Sequence, residues 1–220
     1  MMVAVGAQHL FLLASLSLLA SVLCSKWRLH GRIASWAALL LAVLAVMSGL
    51  LLAAIRRGGW PLAVTAELPA GAAAVGMLWA LAAENKSEGT EALGSHAANA
   101  GLLVWTTVRW PVIQAPAMVE PAQQVWLFTS HLTLAIASAT FLRAGSTTLA
   151  HYIQERRERQ DAAPRWVEEG AQPLPLAGLP LLVASVWLTA VGNQYTRGTA
   201  WDWSALESWQ LVLLCLYLGL

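Results

Sequence analysis

The stretch "IASWAALLLAVLAVMSGLLLAAI", Ile33 to Ile55, runs 23 residues without a charge. A hydrocarbon core of ~30 Å needs about 20 apolar residues in a helix, so this run reads as a membrane span. Basic residues bracket it, Arg32 on one side and Arg56 and Arg57 on the other. Working outward, Val3 to Cys24 forms an earlier span. Pro61 to Ala83, Val125 to Leu149 and Leu176 to Tyr195 form later ones. His96 to Ile113 is a weaker run, interrupted by Arg109 and Pro111. Trp209 to Leu220 starts a seventh, but its 12 residues are too few to cross, so the chain is expected to continue past Leu220. The expected fold is all-α: a polytopic transmembrane helical bundle of six spans plus the start of a seventh, with residues 1–220 as one integral membrane domain.

Composition agrees. Only 11% of residues are charged and mean hydropathy is +0.58, against roughly 25% charged residues in soluble domains. A net charge of +1 gives no reason to expect a nucleic-acid partner. Cys24 and Cys215 occupy separate apolar runs without CxxC spacing and read as free, buried thiols. The first run lacks a basic segment before it and is followed by Lys26, so it reads as a retained span, not a cleaved leader.

Lys and Arg counts orient the spans. With the N-terminus outside, nine basic residues fall on the cytoplasmic side and four, Arg56, Arg57, Arg109 and Arg197, on the outer side. Residues 151–174, including "QERRERQDAAPRWVEEG", are then a cytoplasmic connector, and "ENKSEGTEALGS" a cytoplasmic loop. Three features meet on the outer side: "RRGGWPLAVTAE", the start of the fifth span, and the connection "RGTAWDWSALESWQ" from Arg197 to Gln210.

That connection concentrates Trp201, Trp203 and Trp209 with Asp202 and Glu207. One reading is an aromatic belt with its carboxylates in solvent. The other is a set of indole planes lying side by side, a platform for a flat amphipathic ligand such as porphyrin. His131, inside "WLFTSHLTLAIASATFL", is a ligand or proton carrier on one reading and a hydrogen-bonded interfacial histidine on the other. Its imidazole suits haem iron. Glu67, about two turns after Pro61, needs a partner or a wet cavity; Arg109 offers a structural ion pair. His9 stands near the outer end of the first span, while His30, His96 and His151 read as structural.

The connection resembles the tryptophan-rich WWD signature of haem-handling membrane proteins of cytochrome c assembly, the CcsA, ResC and CcmC types. Gly198, Trp201, Trp203, Glu207 and Trp209 fall on matching positions, within a WWD-like segment over 196–209. "GWPLAVTAE" is similar to a second family stretch through Gly59, Pro61, Leu62 and Glu67. "PAQQVWLFTSHLTLAIASA" is similar to a third through Pro121, Ala122, Trp126, Leu127, His131, Ser138 and Ala139. The pattern departs at Ser204, which stands at the signature Asp position, with Asp202 on the other side of Trp203.

The resemblance implies a transiently bound b-type haem, held at the outer face of a bacterial cytoplasmic membrane or its organellar equivalent for delivery to apocytochrome c. His131 would be the first of two axial ligands, the second lying beyond Leu220. Arg56, Arg57 or Arg197 would meet the propionates. Expected partners are membrane lipid, haem and other membrane subunits. The alternative expectation is a structural subunit of a respiratory or photosynthetic membrane complex that keeps the fold without haem handling. Whether the chain is an enzyme is left open by the sequence.

Overall fold

The computed structural model describes residues 2–25, 29–62, 67–83, 89–109, 121–158 and 173–218. They form seven helices and, among the described residues, no strand: α1 (Met2–Ser25), α2 (Leu29–Arg57), α3 (Leu68–Ala83), α4 (Gly89–Arg109), α5 (Pro121–Glu158), α6 (Pro173–Arg197) and α7 (Ala205–Leu218).

Among the described residues, three helices are long and apolar enough to cross a membrane, through the windows Gly6–Leu23, Ile33–Arg56 and Gln123–Ser146. This supports a membrane-embedded protein, with fewer qualifying spans than the six expected. The shortfall has local causes. The third apolar run loses its start to a turn: Pro61 and Leu62 are non-helical, and α3 is only 16 residues long. α4 carries His96, Asn99, Thr106 and Thr107, and α6 carries Pro180, Ser185, Thr189 and Asn193. These polar residues lower the mean hydropathy, and Ser185, Thr189 and Asn193 commit their side chains to inter-helix hydrogen bonds. Within the expected connector over 151–174, α5 continues to Glu158, and residues 159–172 lie outside the described residues. His96 lies inside α4 and is 4% exposed. Cys215 is exposed, not buried, and the Cys24 side chain lies outside the description.

Lipid tails are as apolar as leucine, so helices in a bilayer associate through close packing and hydrogen bonds instead of the hydrophobic effect. The interior follows that logic. It is dominated by alanine: Ala7, Ala14, Ala42, Ala45, Ala53, Ala70, Ala73 and Ala74 are buried, while Leu12, Leu16, Leu19, Leu44 and Leu51 point outward. Ser21 Oγ donates to Ser35 O at 3.0 Å across the α1–α2 pair. Farther along the same pair, a Cβ at Gly49 would lie 2.8 Å from Phe11 Cε1. A ring edge cannot retreat as a flexible chain end can. Gly49→Val is therefore expected to cost about 1–3 kcal/mol by overpacking, read as a lower unfolding temperature in detergent, whereas Gly101→Val, with open space around it, leaves it nearly unchanged.

Contacts fix the directions of the helices. Gly6 meets Leu52 while Ser21 meets Ser35, so α1 and α2 are antiparallel; Gln8 Nε2 donates to Thr107 O, which sets the end of α4 beside the start of α1, so α4 runs antiparallel to α3 where Gly76 meets Asn99. Gly71 lies near Ala135 and Trp79 lies beside Arg143, so α3 and α5 run parallel in a constant register. Ser130 meets Ser185 while Trp126 meets Gly192, so α5 and α6 are antiparallel. The start of α1, the ends of α2, α4 and α6, and the starts of α3, α5 and α7 accordingly share one end of the bundle.

Candidate functional site

Glycine stops shape that end. α2 terminates in a Schellman motif: Gly58, at φ +64°, donates to Ile55 O, and Gly59 N donates to Ala54 O at 3.1 Å. Gly59 has a second task. A Cβ there would fall 2.7 Å from Gln124 Oε1, the atom that accepts Trp60 N at 3.1 Å. The turn is thus tied to the first helical turns of α5, and Trp60 packs on Phe128 with centroids 5.4 Å apart.

The turn ends at Leu62, a non-glycine residue at φ +59°, a conformation costing roughly 1–3 kcal/mol unless its surroundings hold it. Two contacts hold it. Its side chain, 6% exposed, occupies the space a Cβ on Gly71 would need. Its carbonyl oxygen lies 2.6 Å from His131 Nδ1. A carbonyl can only accept, so Nδ1 carries the proton and Nε2 of the neutral ring presents a lone pair. That Nε2 is buried, has no hydrogen-bond partner, and belongs to a side chain 1% exposed. The α3–α5 register places Glu67, fully buried and engaged in contacts of its own, at the level of His131. The proposed pairing of Glu67 with Arg109 involves a side chain outside the described residues.

Behind His131 lies a polar seam. Ser130 Oγ is 2.6 Å from Thr189 Oγ1, and Ser185 Oγ donates to Ser130 O at 3.1 Å. From α7, Gln210 Nε2 donates to Ser185 Oγ at 2.7 Å and to Thr189 Oγ1 at 3.2 Å. The seam borders a shallow cleft between α5 and α6, lined in part by Trp126, Thr189 and Asn193. Sequence reasoning missed this seam, although Ser185, Thr189 and Asn193 recur every four residues, the spacing of one helix face.

The connection between α6 and α7 is the most hydrogen-bonded piece. Gly198, at φ +72°, closes α6 by donating to Gln194 O. Ser204 and Glu207 form a capping box: Glu207 N donates to Ser204 Oγ at 3.3 Å, and Ser204 N donates to Glu207 Oε2 at 2.8 Å. The same Oε2 accepts Asp202 N at 3.1 Å, and Oε1 accepts Asn193 Nδ2 at 2.5 Å. Glu207 is 0% exposed, contrary to a solvent-facing carboxylate. Asp202 is ion-paired with Arg197 and accepts from Thr199. Arg197 is thereby engaged, Arg56 is exposed, and the Arg57 side chain lies outside the description. Ser204→Ala should cost ~1 kcal/mol through loss of the N-cap, and Ser204→Asp should restore it; thermal unfolding of both variants beside the parent checks this.

The rings do not form the expected flat platform. Trp201 and Trp203 meet edge to face, centroids 5.9 Å apart at 83°. The reason is local, since Trp203 is at φ +53°, which breaks the side-to-side alternation an extended segment would give. Trp203 and Trp209 are 70% and 66% exposed, while Trp126 stacks on Tyr195 at 6.3 Å. Together with Trp60, these rings collar one end of the bundle, as an interfacial belt does. The structure therefore gathers Gly198, Trp201, Trp203, Glu207 and Trp209 in one connection, and Glu67 and His131 at another level. Among the described residues no hydrogen bond or ring contact joins His131 to the three indoles. His9 is exposed. The side chains of His30 and His151 lie outside the description, and among the described residues no group of three His, Cys, Asp or Glu side chains could hold a metal ion. No protein-family model, curated protein or solved structure matches this chain.

Proposed function

We propose that this chain is a haem-handling membrane protein of cytochrome c biogenesis, of the CcsA, ResC and CcmC type. Six helices span the membrane and α7 begins a seventh span. The collared end faces outward, where haem is held for apocytochrome c. The observation that carries the reading is His131: an inward-facing imidazole whose Nδ1–H is oriented by a backbone carbonyl and whose Nε2 lone pair is unused. That is the arrangement of a histidine metal ligand with its supporting hydrogen bond. In further support, the three stretches that resemble the family, around Gly59–Leu62, Trp126–His131 and Gly198–Trp209, meet at one end of the bundle.

The fit to haem is divided. The axial nitrogen suits the group. A porphyrin sandwiched between parallel Trp201 and Trp203 does not, because those rings are perpendicular. In this reading Trp203 and Trp209 offer exposed faces at the membrane surface, His131 supplies the axial nitrogen after a local opening uncovers Nε2, and bound haem supplies the iron. Ser204 at the signature Asp position caps α7, work that Asp performs equally well.

A second reading, a structural subunit of a larger membrane complex, is favoured by Gly198, Asp202 and Glu207, all of which are engaged in building the connection itself. An absorption spectrum of protein purified from haem-supplemented cells separates the two. Haem handling gives a Soret band. A structural subunit gives none, and copurifies in fixed ratio with other membrane proteins.

A further inference from the structure

The far end of the bundle carries an arrangement the haem reading does not use. Where α3 and α4 cross, Gly76 lacks a Cβ and the Asn99 amide fills the space, its Oδ1 2.6 Å from where that Cβ would be. In an antiparallel pair, three residues forward on α3 meets three residues back on α4. Trp79 therefore faces the level of His96. Arg143 reaches this level from α5, with Cζ 5.8 Å from the Trp79 ring centroid.

The hydrogen-bond inventory here is one-sided. Asn99 and His96 are 2% and 4% exposed, and Asn99 Nδ2 and His96 Nδ1 have no partner. Among the described residues no carboxylate is paired with the Arg143 guanidinium. The unmet buried groups are an amide N–H₂ and an imidazole nitrogen that donates in the tautomer protonated at Nδ1; beside them stands the guanidinium fork of half-buried Arg143. Leaving buried donors unmet costs ~1–3 kcal/mol each, so the missing component is an acceptor. A single water accepts from two donors at most and leaves the guanidinium charge uncompensated. An anion with several oxygens meets both buried donors and the guanidinium together, and the planar fork of arginine suits phosphate in particular.

Depth narrows the source. Arg143 lies near the end of the apolar window Gln123–Ser146, where a lipid phosphate resides in a bilayer. Half-buried Arg143 gives access from the membrane edge, and Trp79 forms a wall.

We propose that Arg143, Asn99 and His96, backed by Trp79, form a phosphate-binding site filled by the headgroup of an anionic membrane lipid, at the end of the bundle opposite the Trp201–Trp209 connection. The test uses the full chain in a phosphate-free maltoside detergent, with binding followed by tryptophan fluorescence and thermal unfolding. The probes are a short-chain phosphatidylglycerol, the matching diacylglycerol without phosphate, and inorganic phosphate. Phosphatidylglycerol should bind and raise the unfolding temperature, and diacylglycerol should do neither. Arg143→Gln should weaken binding by roughly tenfold, with Arg143→Lys in between. Asn99→Leu should weaken lipid binding while leaving lipid-free stability unchanged or higher, because it removes an unmet buried amide; it also keeps the test open if Arg143→Gln does not fold. Binding of inorganic phosphate alone would keep the site and assign it to a soluble phosphate ester. Equal binding of diacylglycerol and phosphatidylglycerol, or undiminished phosphatidylglycerol binding in both Arg143→Gln and Asn99→Leu, would overturn the proposal.

Discussion

Glu207→Ala is expected to lower the unfolding free energy by roughly 3 kcal/mol, the largest loss among single changes in the connection. Its carboxylate accepts from three donors, Asn193 Nδ2 and the backbone nitrogens of Asp202 and Ser204. Removing it strands those donors and dissolves the capping box that starts α7. Individual hydrogen bonds to a charged group contribute ~1.5–3 kcal/mol, and the sum is smaller because exposed Asp202 and Ser204 regain water. Glu207→Gln keeps one acceptor oxygen and a residue type that completes a capping box, so it should cost only about 1 kcal/mol. Denaturation of the two variants side by side tests the ordering. If Glu207→Ala unfolds at the parental temperature while haem content falls, the carboxylate acts on a ligand and its structural role here is wrong.

The second large effect concerns His131. His131→Ala should weaken haem binding more than about 100-fold, since even loss of a supporting hydrogen bond to a metal-bound histidine typically costs 10–100-fold. It should also destabilise the apoprotein by ~2–3 kcal/mol, because a 1%-exposed side chain and its bond to Leu62 are removed. His131→Leu separates the two. Leucine refills the volume and replaces an unpartnered Nε2 by carbon, so much of the stability should return while haem binding stays lost. A histidine with a purely structural role would give the reverse pattern: stability falls in both variants and haem content follows neither.

How much of this was legible in the sequence varies by residue. Length and hydropathy marked the Ile33–Ile55 run, and α2 covers it. Gly58 and Gly198 stand just past apolar runs, the usual place for a helix stop. Ser204-Ala205-Leu206-Glu207 is an S-x-x-E capping pattern that the neighbouring tryptophans overshadowed. The perpendicular indoles were not legible, because their angle depends on a left-handed backbone at Trp203, which sequence spacing does not encode. Nor was the start of α3 at Leu68 read from the run Pro61 to Ala83, in which Glu67 is the one charge; the tertiary contacts that hold Leu62 at φ +59° have no local signature. His131 was singled out because it interrupts a span. Its partner, a backbone carbonyl 69 residues away, has no sequence signature at all.

The seam of Ser130, Ser185, Thr189 and Gln210 links the two levels of the collared end. It joins the neighbour of His131 to the first turns of α7, so it couples the connection mechanically to the helix that carries the candidate ligand. Its hydroxyl and amide hydrogens are all engaged within the seam, which suits a rigid joint and explains how a short α7 is seated on α6.

The most direct measurement is the Soret absorbance of His131→Gly, purified with haem, before and after addition of imidazole. The haem-handling account expects a Soret band in the parent chain, its loss in His131→Gly, and its return when free imidazole occupies the vacated place. A parent chain without a Soret band, or a His131→Gly variant whose band equals the parent's before imidazole is added, would contradict it.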